Sequence, residues 1–215
     1  WDGFRSSLSF ALRIVNFVTI PATVGLFVLS YPITEVLFMR GEFGAEASAG
    51  TAVALYYYAL GLVPVSTSRI LTSVFYSVKD TATPVWIAFF AFIVNAILCF
   101  LLVGPLGHAG LALATSLSSA VNMVALLLVL KKRFGRFGGR LIFTSALKSS
   151  VASLIMGGAI YMIMFKADFG VMGVTFKALL LASCLLIGLL VYIGTARALR
   201  TPEMTFLKGI LRKRG

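Results

Sequence analysis

The sequence carries little charge: 12% of its 215 residues are charged and Asp and Glu together number 7, against 60% hydrophobic residues and a mean hydropathy of +1.00. So little polar surface cannot coat a soluble globule, which leaves the bilayer as the solvent. Histidine occurs once, as His108 in a glycine-rich stretch without neighbouring ligands, so a solvated loop residue outweighs a metal ligand there. Cys99 and Cys184 fall in separate apolar runs, where a thiol behaves as a small hydrophobe and a disulfide is disfavoured. Paired intramembrane carboxylates, a Cys-His arrangement and a phosphate-cradling glycine loop that opens a helix are all missing, which argues against an enzyme. The chain opens at Trp1 with neither an initiator Met nor a basic segment followed by a cleavage site. Its first apolar run therefore reads as a span and not as a signal peptide, and the chain is expected to be truncated upstream.

What the sequence does contain is apolar length. A helix needs about 20 apolar residues to cross ~30 Å of hydrocarbon while satisfying its own backbone. Such windows run over Leu8–Leu29, Thr51–Val78, Pro84–Val103, Ala109–Leu130, Ser145–Phe165 and Met172–Ala196, which predicts an all-α integral membrane protein of six transmembrane helices. The connections leave no room for a soluble domain, and the second window is long enough to tilt or to project beyond the membrane. Gly157 and Gly158 in the fifth span and Gly188 and Gly194 in the sixth let helices approach closely, so these two spans are expected to pack as a pair.

The net charge of +12 does not point to nucleic acid, because the bases gather at span ends instead of forming one basic face. The fourth connection holds Lys131, Lys132, Arg133, Arg136 and Arg140 with no acid, and the tail holds Arg197, Arg200, Lys208, Arg212, Lys213 and Arg214 against Glu203. Both belong in the cytoplasm by the positive-inside rule. The first connection, with Glu35, Glu42 and Glu46 against Arg40, the third with His108, and the fifth with Lys166 and Asp168 then lie outside. An even number of spans returns Trp1 to the cytoplasm, in agreement with Arg5 and Arg13. The basic tail sets orientation and is also suited to anionic membrane lipid.

Four strings stand in order along the chain: YPITEVLFMRGEF from Tyr31 to Phe43, YALGL from Tyr58 to Leu62, FYSVKDTATP from Phe75 to Pro84, and GPLGHAGLALATSLSSAVN from Gly104 to Asn122. In order and spacing they resemble the MurJ/MviN lipid II flippase family over nearly the whole chain. The resemblance implies the C-terminal part of a 14-helix, two-lobe flippase. Residues 1–130 would be the last four helices of the second lobe, with 31–43 an interfacial segment carrying an apolar stripe of Ile33, Val36 and Leu37. Residues 131–144 would be a cytoplasmic basic loop, 145–196 two extra transmembrane helices and 197–215 a cytoplasmic basic tail. It further implies a bacterial inner-membrane protein, with the N-terminal lobe missing from this chain, that moves lipid II between leaflets by alternating access. The substrate's sugar, peptide and pyrophosphate groups cannot enter hydrocarbon unaided, so a polar cavity must carry them while the tail stays in lipid. The two extra helices would border a groove for the isoprenoid tail.

Arg69 is the one charge well inside a span, about 14 Å along its helix from Lys79. It faces either a cavity, where it would contact pyrophosphate, or a structural partner or the interface; the resemblance favours the pyrophosphate contact. Arg13, a turn inside the first span, guards a cavity mouth or snorkels, and Arg40 lines the outer opening or pairs with Glu42 or Glu46. Pro64, followed by Ser66, Thr67 and Ser68, is a candidate bend that is either mobile or static. Lys79 and Asp80 make a turn that is either a gate or a helix stop with a local ion pair. Asn95, Thr115 and Asn122 bond across helices, or, by the resemblance, Asn95 and Thr115 belong to an ion site in which Cys99 stands where an acid is expected. A thiol is a poor ligand for a hard cation, which argues against sodium. No cofactor is expected, and coupling to an ion or to the membrane potential is left open. A related multidrug or polysaccharide exporter, and a membrane scaffold recruiting cell-wall enzymes through the basic tail, are the competing functions.

Overall fold

A computed structural model describes residues 2–38, 44–135, 138–167 and 173–204. The described residues form six long helices: α1 Asp2–Phe38, α2 Ala45–Ser77, α3 Ala82–Leu106, α4 His108–Phe134, α5 Gly139–Lys166 and α6 Val174–Ala198. Each is long and apolar enough to cross a membrane. All six predicted spans therefore exist as helices, the first five longer than their apolar windows and the sixth of the same length, shifted toward the tail. Charged and polar residues at the window edges stay helical because cations suit a helix C-terminus and polar side chains reach the interface.

That extension corrects two sequence expectations. Residues 31–38 are not a separate interfacial segment: they continue α1 through Pro32, with Thr34, Glu35 and Val36 buried in the bundle. The rest of that segment, including Arg40, lies outside the described residues. Most of the expected 131–144 loop is also helix. Lys131, Lys132 and Arg133 occupy the last turn of α4, and α5 begins at Gly139.

The helices pack in the order α3, α4, α2, α1, α5, α6, each chiefly on its neighbours in that order. Leu8, Leu12, Leu71, Phe75, Leu126 and Leu130 join α1, α2 and α4 at the end that carries the basic residues of α4. A second core gathers Phe17 and Leu29 of α1 with Met156 and Ile160 of α5 and Cys184 and Tyr192 of α6. The extra pair of helices thus docks on α1. Fifth and sixth helices pack as expected, although Gly157 faces Val24 of α1 while Gly188 faces Ile160 of α5. On α3 the buried residues are Pro84 and Ala91, whereas Trp86, Phe92 and Phe100 are exposed, a surface suited to lipid.

The hairpin joining α3 to α4 depends on two glycines. Gly107 takes φ +56°, a conformation that disfavours a side chain, and donates its N–H to Val103 O at 2.9 Å. At Gly110 a Cβ would sit 2.3 Å from Leu102 O, a backbone atom that cannot turn aside. Replacing Gly110 with Ala should therefore force the hairpin apart and cost about 1–3 kcal/mol, as overpacking typically does. Thermal melting of the purified full-length protein measures the loss.

Candidate functional site

Arg69 projects from the C-terminal third of α2 onto an exposed face shared with α4. Together with Ser68, Thr72, Tyr76, Ser119 and Asn122 it lines a cavity of about 350 Å³. Every side chain of that lining except Val65 and Arg69 itself carries a neutral polar group. Ser68 Oγ and Asn122 Oδ1 are buried without a hydrogen-bond partner. No carboxylate among the described residues pairs with Arg69. A guanidinium without a counter-charge, beside an unsatisfied hydroxyl, leaves donors free for charge-assisted hydrogen bonds, while the Asn122 amide oxygen can only accept. Pro64 is buried one and a half turns earlier, inside a helix that runs unbroken from Ala45 to Ser77. One turn before Gly61, the carbonyl of Tyr57 accepts from Ser116 Oγ of α4 at 2.7 Å. That bond fixes α2 against α4 close to the proline.

Arg13 is placed differently from Arg69. Its Nε lies 2.8 Å from Oε1 of Glu203, which is fully buried just beyond α6 and also accepts from Ser145 Oγ at 2.9 Å. Arg13 also lines an open cavity with Arg5, Ser9 and Gly138, so it keeps one side toward the basic end. Its principal role in the fold is nevertheless to neutralise a buried carboxylate. The start of the tail is folded back: Thr201 N donates to Ala196 O at 3.1 Å, closing α6 with Arg200 at φ 49°.

Lys79 and Asp80 also separate. Lys79 takes φ 60° and Asp80 N donates to Phe75 O at 3.0 Å, which ends α2 in a left-handed turn. The partner of Asp80 is not Lys79. Its carboxylate accepts from Thr83 N at 3.0 Å and Thr83 Oγ1 at 2.7 Å, and it pairs with Arg133 of α4, which also donates to Thr83 Oγ1 at 3.1 Å. Arg5 Nη2 donates to Phe134 O at 3.0 Å, so the amino end of α1 caps the end of α4 beside this lock. Thr83, through its N–H and then its hydroxyl, and the adjacent Arg133 guanidinium hold the Asp80 carboxyl below the ordinary carboxylate range.

Asn95 and Thr115 engage different side-chain partners. Asn95 Nδ2 donates to Ser118 Oγ of α4 at 3.0 Å, its Oδ1 accepts from Cys99 Sγ at 3.5 Å, and Thr115 Oγ1 donates to Leu111 O within its own helix at 2.9 Å. The bond from Asn95 to Ser118, whose Oγ also donates to Thr115 O at 3.0 Å, joins α3 to α4. Among the described residues no group of His, Cys, Asp or Glu could hold a metal ion. His108 is exposed at the first position of α4, against Gly50.

One feature escaped the sequence reading. Lys177, one turn into α6, lies with Nζ 2.6 Å from Oε1 of Glu35 on α1, and only 8% and 7% of these side chains are exposed. A lone cation within an apolar span demands such a partner, and this was the available signal. Along the two extra helices, where the resemblance implies a groove, lies an apolar groove of about 580 Å³ between α1 and α6, walled by Leu26 and Ile33 on one side and Leu185 and Leu189 on the other, with Met156 and Ile160 of α5 behind. That α1 forms one wall depends on a three-helix arrangement that the sequence does not display.

The Asp80 lock is testable by pH. Because its folded carboxyl titrates below the ordinary value of 3.8, the lock contributes fully above that value and is lost as pH falls through the lower folded one. Asp80→Asn should lower the melting temperature of the full-length protein at pH 7, and the difference from wild type should vanish as pH drops below about 3.8. Arg133→Ala should add little to the loss in the double variant, since both remove one interaction.

A model of the family described as lipid II flippase MurJ matches residues 1–195. Among curated relatives, the probable lipid II flippase MurJ of Rickettsia prowazekii is 31% identical over 198 residues, covering 88% of this chain and 38% of the relative. That of Vibrio cholerae is 38% identical over 125 residues, covering 58% of this chain and 24% of the relative. A solved structure of lipid II flippase MurJ in an inward closed conformation superposes with a TM-score of 0.79 at 28% identity, covering 94% of this chain and 40% of that one. The chain thus spans about two fifths of the length of the Rickettsia relative and of the solved structure, 38% and 40% respectively. With the family matched over 195 residues and the helices superposed over nearly the whole chain, this multi-pass membrane chain belongs to the lipid II flippase MurJ family.

Proposed function

We propose that this chain is the second-lobe portion, with the two extra helices, of a flippase that carries lipid II from the cytoplasmic to the periplasmic leaflet of the bacterial inner membrane. Both ends of the chain face the cytoplasm in this reading, and the remaining helices of the two-lobe scaffold complete the central cavity. The observation that carries it is Arg69, a cation inside an apolar span that faces a polar cavity without a counter-charge among the described residues. Holding such a group in a span is costly, so its retention argues for a ligand that satisfies it. The substrate's pyrophosphate is that ligand, with the unpartnered Ser68 hydroxyl as a neutral donor beside the guanidinium.

The apolar groove between α1 and α6 suits the substrate's isoprenoid tail, while the polar head moves through the cavity. The chain's own residues bind and orient; no bond is made or broken. Alternating access between lobes supplies the movement, driven by an ion gradient or the membrane potential without a resident cofactor. The Asp80–Arg133 lock holds the α2–α3 turn against α4, and its opening and closing would belong to that cycle. Arg40 remains a proposed contact at the outer opening.

Arg69→Ala in the intact protein, at wild-type abundance, should reduce lipid II transport at least ten-fold, whereas Arg69→Lys should retain part of it because charge persists without the bidentate fork. Leaflet-specific measurement of lipid II in cells or vesicles tests this, and unchanged transport in Arg69→Ala would sink the reading.

A further inference from the structure

The polar contacts that tie α1 to α6 lie at two levels. At one, Tyr192 Oη donates to Phe17 O at 2.6 Å, with both residues buried. At the other stands the Lys177–Glu35 pair. Between these levels the two helices part to leave the groove, and about 27 Å of α1 separates Phe17 from Glu35, close to the thickness of the hydrocarbon layer. Glu35 follows Ile33, the groove residue on α1 nearest to it in sequence, by two positions. Lys177 stands on α6 about two turns beyond Leu185, toward the same end. Phe17 and Tyr192, which make the hydrogen bond, line the groove, whereas the ion pair stands just beyond it, past Ile33 on α1 and past Leu185 on α6.

We propose that Lys177 and Glu35 act as a positioning pair that closes this groove and stops a lipid hydrocarbon chain at the level of Ile33. The proposal rests on the reading of the groove as the seat of the isoprenoid tail. A chain of methylenes and methyls gains by lying against Leu26, Ile33, Leu185 and Leu189, and it gains nothing by displacing the contacts of two charges held out of water. The pair also fixes the spacing of α1 and α6 where the chain must end. A longer tail has to leave sideways into the bilayer, through the open side of the groove. Mere adhesion is a poor account of the pair, because apolar residues of similar size hold helices together equally well or better than a buried ion pair. What an apolar pair would not do is terminate an apolar groove.

The test uses the full-length protein in nanodiscs with a polyprenyl phosphate bearing a diazirine near its chain end, and maps the labelled residues by mass spectrometry. In the wild type, labelling should concentrate around Ile33 and stop short of Val174. The double variant Lys177→Met/Glu35→Leu should melt as the wild type does, yet lose labelling at Ile33 at least five-fold as the chain end runs on toward Val174. The swapped pair Glu35→Lys/Lys177→Glu should restore the wild-type pattern. Wild-type labelling in the apolar double variant would overturn the proposal and reduce the pair to packing. Should that variant not fold, Glu35→Gln provides the comparison: labelling displaced from Ile33 supports the proposal, and an unchanged pattern overturns it. Gly25→Trp, which fills the groove, separates this from the underlying reading. Loss of groove labelling in that variant upholds the groove as the tail's seat, and unchanged labelling removes both the groove reading and the pair's role.

Discussion

A charge held away from water must find its counter-charge within the protein, and much of this structure follows from how few exceptions it makes. Glu35 meets Lys177, and Glu203 meets Arg13. The two pairs lie toward opposite ends of α1, so the α5–α6 hairpin is tied to α1 at both ends of the span. Apolar contacts fill the interior between them, but alone they would let helices of similar surface slide or rotate in lipid, where hydrophobic burial does not distinguish one apolar face from another. The ion pairs select one register. Breaking such a pair by removing one partner strands the other charge, an outcome worth about 3–5 kcal/mol in a buried setting.

Arg69 acquires its meaning against this pattern. The bundle contains acids that reach across long stretches of chain to neutralise bases, and none of the described ones reaches Arg69. Its neighbours are hydroxyls and an amide whose oxygen lacks a partner. Polar capacity is therefore collected on one face of α2 and α4, while the groove between α1 and α6 is almost wholly apolar. A lipid-linked polar substrate has the same division, with a charged head and a long hydrocarbon tail. The two surfaces are separated by the α1–α2 contact, an arrangement that in the proposed function keeps head and tail apart.

Much of the fold could be read from the sequence because hydrocarbon thickness imposes a length that any apolar window reveals. The spans over Pro84–Val103 and Ala109–Leu130 became α3 and α4 with ends extended by a few residues. The Tyr31–Phe38 stretch was misread because Pro32 and Glu35 look like a connection. Burial beside Lys177 is what makes a helical continuation tolerable there, and that partner lies 142 residues away. Arg69 was legible as a lone charge in an apolar run. Arg13 was not, since its partner Glu203 sits in a tail whose composition suggests free solution. Asp80 showed the same difficulty on a smaller scale: its neighbour Lys79 was the evident partner by sequence, and the left-handed turn directs the carboxylate to Arg133 instead. Pairings between distant helices have no signature in the order of residues, whereas span length and the side occupied by basic residues do.

The account's central claim is that the intact protein moves a lipid-linked cell-wall precursor outward across the membrane, with this chain forming part of the path. Its most direct test is depletion of the full-length protein in its own cells, followed by measurement of lipid II separately in the cytoplasmic and periplasmic leaflets. The account predicts that lipid II accumulates in the cytoplasmic leaflet while the periplasmic pool falls. An unchanged distribution after depletion would contradict it.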